Sequence, residues 1–159
     1  VPALLEFVMY CAAGTVVDAK LYDHTTNMTR LYRLGYKLIY SRLKQQIRIV
    51  KQHGVFDPPH DFEEVRRAAD EYISQGVSMG EGWLIPAEMA MLAKSCTKNI
   101  ICAQPFGCLP NHIVAKGMSR AIKQKHPDAN IVAIDYDPGA TRVNQENRIK
   151  LMLSNAKQG

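Results

Sequence analysis

Two short runs, 99–103 (NIICA) and 130–136 (NIVAIDY), constrain this chain more than any other feature. Both are rich in β-branched residues and almost free of polar interruption, the pattern of strands buried on both faces. Between them 110–125 reads as a helix opened by Pro110, and a second helix, 141–156, follows the second run. Strand, helix, strand, helix at this spacing is a βαβ unit with a right-handed crossover. The fold class expected is α/β: a Rossmann-like parallel sheet (βαβα) over 77–159, preceded by a mainly helical region over 1–76.

In that first region 2–13 reads as a helix, with Leu4, Leu5, Val8, Met9 and Ala12 at helical spacing and Gly14 and Thr15 ending or bending it. Thr25 or Thr26 caps a second helix that runs to about His53, with an apolar stripe of Leu31, Leu34, Leu38, Ile39, Leu43, Ile47 and Val50. Gly35 is a candidate interruption of it. Gly54 supplies the stop and Asp57-Pro58-Pro59 a stiff connector. Asp61 then caps a third helix through about Ser74, with Phe62, Val65, Ala68, Ala69 and Tyr72 inward. The glycine-punctuated loop VSMGEGW leads to a helix that has Pro86 in its first turn and ends near Lys94.

At 159 residues, 47% hydrophobic and 22% charged, the chain has the composition of one soluble globular domain or an excised piece of one. No apolar run approaches the ~20 residues that span a bilayer. The opening VPALLEFVMYC lacks a basic flank and carries Glu6, so it reads as core and not as a signal peptide. Its start at Val1 points to a fragment of a longer protein. Cys11, Cys96, Cys102 and Cys108 are unevenly spread without secretory features, which suggests reduced thiols in a cytoplasm. Without a CxxC pair a self-contained zinc ribbon is disfavoured. The net charge of +5 is modest, but no acidic residue lies between Asp23 and Asp57. Arg30, Arg33, Lys37, Lys44, Arg48 and Lys51 form a basic stripe there, a solvated face before it is a nucleic-acid or acidic-partner surface.

In open α/β sheets ligands bind outside the carboxyl ends of the strands, which selects the loops 104–111 and 135–141. Cys108 falls just outside a helix N-terminus, where the helix dipole favours a thiolate and so metal or cluster ligation; a small buried thiol in a tight turn is an equal reading. Cys102, inside the strand, reads as core before ligand, Cys11 as core, and Cys96 has no assigned role. His112, in the first helical turn, suits either a ligand contact or a structural role. Asn111 and Asn144 stand near the helix starts after the two strands, positions suited to a bound group. Asp135 and Asp137 suit a metal or a ribose, although Asp137-Pro138-Gly139 is first a turn signal. Glu81, held between Gly80 and Gly82, is a weak candidate for a functional carboxylate, as is His112 for a catalytic role.

The segments GEGWLIPAEM, NIICAQPFGCLPNHIVAKGM and ANIVAIDYDPGATRVNQENRIKLML, in this order and spacing, resemble the C-terminal part of the large activase-related proteins of the 2-hydroxyacyl-CoA dehydratase system. The opening PALLEFVMYC is similar to an upstream segment of that family. The resemblance implies Rossmann-like lobes whose cysteines hold a 4Fe–4S or larger cluster, fed with a low-potential electron by an ATP-hydrolysing activator. Residue by residue it points to Cys108 as first ligand, Cys11 as second and Cys102 as a distant third. No nucleotide-binding motif occurs in these residues, so ATP would enter only through upstream regions. It also implies the rest of a parent chain as partner, a dehydratase-type subunit or electron donor, and a CoA-type substrate; no membrane partner is implied and nucleic acid is disfavoured. The fragment alone would be inactive, since a cluster needs three or four thiolates. The other reading is a non-catalytic partner-binding or assembly module with structural cysteines, with a zinc-binding regulatory domain a weaker third.

Overall fold

The computed structural model describes residues 4–24, 26–95, 97–136, 139 and 141–156. They form α1 (Leu4–Leu21), α2 (Asn27–His53), α3 (Phe62–Asp70), α4 (Leu84–Lys94), β1 (Asn99–Pro105), a π-helical segment (Pro110–Ala115) that runs into α5 (Lys116–Lys125), β2 (Asn130–Tyr136) and α6 (Arg142–Ala156). A mainly helical region thus precedes a small parallel sheet with its helices, a mixed α/β architecture. The chain divides into two compact units, Val1–Leu84 and Ile85–Gly159. No helix among the described residues is long and apolar enough to cross a membrane.

In the first unit the caps follow local chemistry. Thr26 accepts from the Thr29 backbone N–H and the Thr29 side chain accepts from Thr26 N–H, a reciprocal capping box that opens α2. Gly54 closes α2 with φ 72°, and its N–H donates to the Val50 carbonyl. Asp61 caps α3 by accepting from Glu63 N–H at 2.9 Å. The core gathers Met9, Tyr10, Leu43, Phe62, Val65 and Trp83, all buried. The Tyr10 ring meets Trp83 edge-on at 5.1 Å and Phe62 lies 6.1 Å from Trp83, contacts that add about 0.5–1.5 kcal/mol per pair beyond burial.

Four expectations for the helices are corrected. Helix α1 continues through Gly14 and Thr15 to Leu21, because a lone glycine costs a helix only about 1 kcal/mol. Its inward face is Met9, Tyr10, Ala12, Ala13 and Ala19, which leaves Leu4, Val8 and Cys11 exposed; Cys11 is therefore not a core residue. Helix α2 runs unbroken through Gly35, and of its expected apolar stripe Leu43 is buried while Leu31, Leu34 and Leu38 are exposed. Helix α3 ends at Asp70, where the Tyr72 and Ile73 N–H groups both turn back to the Ala69 carbonyl.

In the second unit β1 and β2 pair in parallel, in register from Asn99 opposite Asn130 to Pro105 opposite Tyr136. The π segment packs on β1, and α5 and α6 both pack on β2. Ile100, Val114, Ala115, Ile122, Ile131, Ile134 and Met152 are buried here. Each large aliphatic among them contributes about 1.5–3 kcal/mol on burial. Strand β1 is not covered on both faces: Ile100, Cys102 and Gln104 are buried, whereas Asn99, Ile101, Ala103 and Pro105 alternate outward. Two strands and their helices cover only one face of β1, so the continuous apolar run behaves as a half-buried strand.

Candidate functional site

The strand alternation that buries Cys102 also buries Gln104, two residues nearer the carboxyl end of β1. Beyond it Phe106 and Gly107 turn the chain, with Gly107 at φ 73°, and the Cys108 N–H donates to the Pro105 carbonyl at 3.3 Å. The following segment is wound as a π-helix with Pro110 at its start, where a missing N–H costs nothing. Such wide turns concentrate at functional sites. Here the turn carries Asn111 inward and leaves Ile113 exposed.

Asn111 links the two thiols. Its amide donates to Cys108 Sγ at 3.1 Å, and Cys102 Sγ donates to its carbonyl oxygen at 3.8 Å. Cys102 is buried and Cys108 half-buried. Burial, and then the proximity of Cys108, push the Cys102 thiol above its ordinary pKa.

A second arm of the network centres on Asp135, near the end of β2 and opposite Gln104 in the register. The Gln104 amide donates to Asp135 Oδ1, and His112 Nε2 lies 3.2 Å from the same oxygen. The other ring nitrogen of His112 is 3.0 Å from the Cys108 carbonyl. Both neighbours of the ring are oxygen atoms that can accept a hydrogen bond. The Gln104 hydrogen bond holds the Asp135 carboxyl below the usual range; burial opposes this, and His112, Arg148 and Lys116 reinforce it. Gln104 is 1% exposed, and its carbonyl oxygen meets no donor among the described residues.

From Asp135 the site opens into a polar pocket of about 400 Å³ lined by Ile134, Asp135, Asn144, Gln145, Asn147 and Arg148. Gln145 donates to the Asp135 carbonyl at 3.2 Å and Arg148 to the Ala133 carbonyl at 2.6 Å, which docks the first turns of α6 on β2. The pocket therefore offers a carboxylate, a guanidinium and three amides to a polar ligand.

The structure thus brings together Cys102, Cys108, Asn111, His112 and Asp135, and places Asn144 on the wall of the adjoining pocket. Cys11 and Glu81 belong to the first unit. Glu81 sits in a turn fixed by Gly80 at φ 59° and Gly82 at φ 39°. A Cβ on Gly82 would stand 2.1 Å from the Val77 carbonyl oxygen, which also accepts the Trp83 N–H at 2.9 Å. The Tyr10 hydroxyl bonds the Ser78 and Gly80 carbonyls at 2.9 and 2.8 Å. Burial first, and then Cys11, Glu81 and Asp18, push that phenol up to about 12. Gly82 thus meets a packing requirement beside Trp83, and Gly80 a left-handed turn. Cys96, Asp137, Pro138 and the helix start at Ala140 lie outside the described residues.

Sequence reasoning passed over Gln104, Gln145 and Arg148. Gln104 was detectable, since period-two alternation from Ile100 puts it on the face of Cys102. Among the described residues no three His, Cys, Asp or Glu side chains are grouped so as to hold a metal ion. No protein-family model, curated protein or solved structure matches the chain.

Proposed function

We propose that this chain supplies part of the cluster site of an iron–sulfur, ATP-coupled electron-transfer protein related to the 2-hydroxyacyl-CoA dehydratases and their activators, built on a Rossmann-like sheet. The observation that carries this reading is the convergence of Cys102 and Cys108 on Asn111 at the carboxyl end of β1. The donor set fits a share of a cluster. Cys108, half-buried, is the ligand; Cys102 is buried beside Asn111, and the remaining thiolates come from elsewhere. A bound cluster would supply single-electron transfer. What these residues do is hold a sulfur donor on the turn after β1, with the Asn111 amide donating to Cys108 Sγ.

The second reading is an assembly module in which these cysteines are structural. It draws on the same network, because both sulfurs already have a protein partner in Asn111. Anaerobic reconstitution of the full-length protein with ferrous iron and sulfide, read by visible absorption, separates the two. Cys108→Ser is expected to remove most of the cluster absorbance. Unchanged iron content in Cys108→Ser refutes the ligand assignment and leaves the structural reading.

A further inference from the structure

Helix α2 has two apolar sides. At about 100° per residue, Thr29, Tyr36, Tyr40 and Leu43 fall together on one of them. There Tyr36 donates to Glu63, Tyr40 donates to Asp61 at 2.8 Å, and Thr29 and Leu43 are buried. Leu31, Leu34 and Leu38 recur at i, i+3 and i+7 on the opposite side and are 59%, 56% and 62% exposed. Ile49 continues that side and is also exposed. The helix spans 27 residues without an Asp or Glu. Arg30, Arg33, Lys37, Arg42, Lys44, Arg48 and Lys51 are all exposed along it.

Spacing by three and four is that of a coiled-coil seam, with Leu31 and Leu38 as a positions and Leu34 as d. On this register Arg30, Lys37 and Lys44 occupy g, and Gly35 and Arg42 occupy e. We infer that this seam docks an amphipathic helix of an acidic protein partner, one that lays aliphatic side chains on Leu31, Leu34 and Leu38 and carries Glu or Asp at its flanking positions. Charge selects this occupant over a second copy of the chain. A parallel pair would set Lys37 against Arg42 of the other copy, and an antiparallel pair would bring the g-position cations together, both like-charge contacts at the positions that decide partner choice. Carboxylates flanking a partner's seam would turn each of those contacts into an attraction.

The test uses two synthetic helical peptides with Leu at a and d, one with Glu and one with Lys at e and g, each titrated with the chain by fluorescence anisotropy. The Glu peptide is expected to bind at least tenfold more tightly than the Lys peptide. The double variants Leu34→Ser/Leu38→Ser and Lys37→Glu/Arg42→Glu are each expected to weaken it at least tenfold, with circular dichroism unchanged because all four side chains are exposed. Equal binding of the two peptides, or binding of the Glu peptide that survives the leucine substitutions, overturns the proposal. So does a concentration-dependent dimer in sedimentation that Leu34→Ser/Leu38→Ser abolishes, which would assign the seam to a second copy. Co-sedimentation with phosphatidylserine vesicles, lost in the same variant, would assign it to a membrane surface and overturn it too.

Discussion

Replacing a glycine by alanine at three positions of the first unit makes one chemical change with three different outcomes. At Gly82 the added methyl meets the Val77 carbonyl oxygen at 2.1 Å and the Tyr10 hydroxyl at 2.8 Å, on a backbone at φ 39°. The left-handed conformation alone costs an L-residue about 1–2 kcal/mol. Relieving the clash also displaces the Val77 carbonyl from the Trp83 N–H, a hydrogen bond worth about 1 kcal/mol. Gly82→Ala is therefore expected to destabilise by about 2–4 kcal/mol. Gly54 has φ 72° but nothing within 4 Å, so Gly54→Ala should lose only the conformational part, about 1 kcal/mol. Gly35 lies inside α2 with open space around it, and Gly35→Ala should stabilise by about 0.5–1 kcal/mol. Trp83 is the only tryptophan and is fully buried, so urea unfolding followed by its fluorescence reports on this unit. A Gly82→Ala variant no less stable than Gly54→Ala would refute the close packing of the GEGW turn.

Two further outcomes concern the thiol and carboxylate network. Iodoacetamide labelling followed by mass spectrometry should modify the exposed Cys11 first, Cys108 next and Cys102 last, since Cys102 is buried and its thiol is held above the ordinary pKa; early labelling of Cys102 would contradict its bond to Asn111. Asp135 has a folded pKa below its ordinary 3.8, so its contribution to stability is present above that value and is lost as pH falls through the folded pKa. Asp135→Asn should therefore lower stability at neutral pH and flatten the acid-side decline below about pH 4, measured by hydrogen exchange of the β2 amides; an unchanged acid limb would count against the Gln104 and His112 contacts.

What could be read from the sequence was what neighbouring residues decide among themselves. Thr26, Gly54 and Asp61 act as caps because the groups they bond lie within four residues of them. Both strands were visible as β-branched runs, and β2 has the extent its sequence suggested. The length of α1 was not legible, because Gly14 interrupts the pattern while the inward face is fixed by Tyr10 bonding to carbonyls sixty-eight and seventy residues away. The stripe of α2 misled for another reason: hydrophobic spacing reports that a helix has an apolar side, and this helix has two. The sequence placed Cys108 just beyond the first strand, but did not show its link to Cys102 through Asn111. That link depends on the wide turn at Pro110–Ala115, which carries Asn111 between the sulfurs and leaves no signature in apolar periodicity.

The docking of α6 has a consequence for how the sheet can be extended. In β2 the Asn130 N–H points to the first strand, so residues 131, 133 and 135 direct their backbone groups to the far edge. Two carbonyls of that edge, Ala133 and Asp135, are already occupied by Arg148 and Gln145. These side chains substitute for the donors of an absent neighbour. A third strand could join beside β2 only by breaking both bonds and displacing α6, whereas growth beside β1 requires neither. While α6 stays docked, the far margin of β2 is therefore protected against unwanted strand pairing.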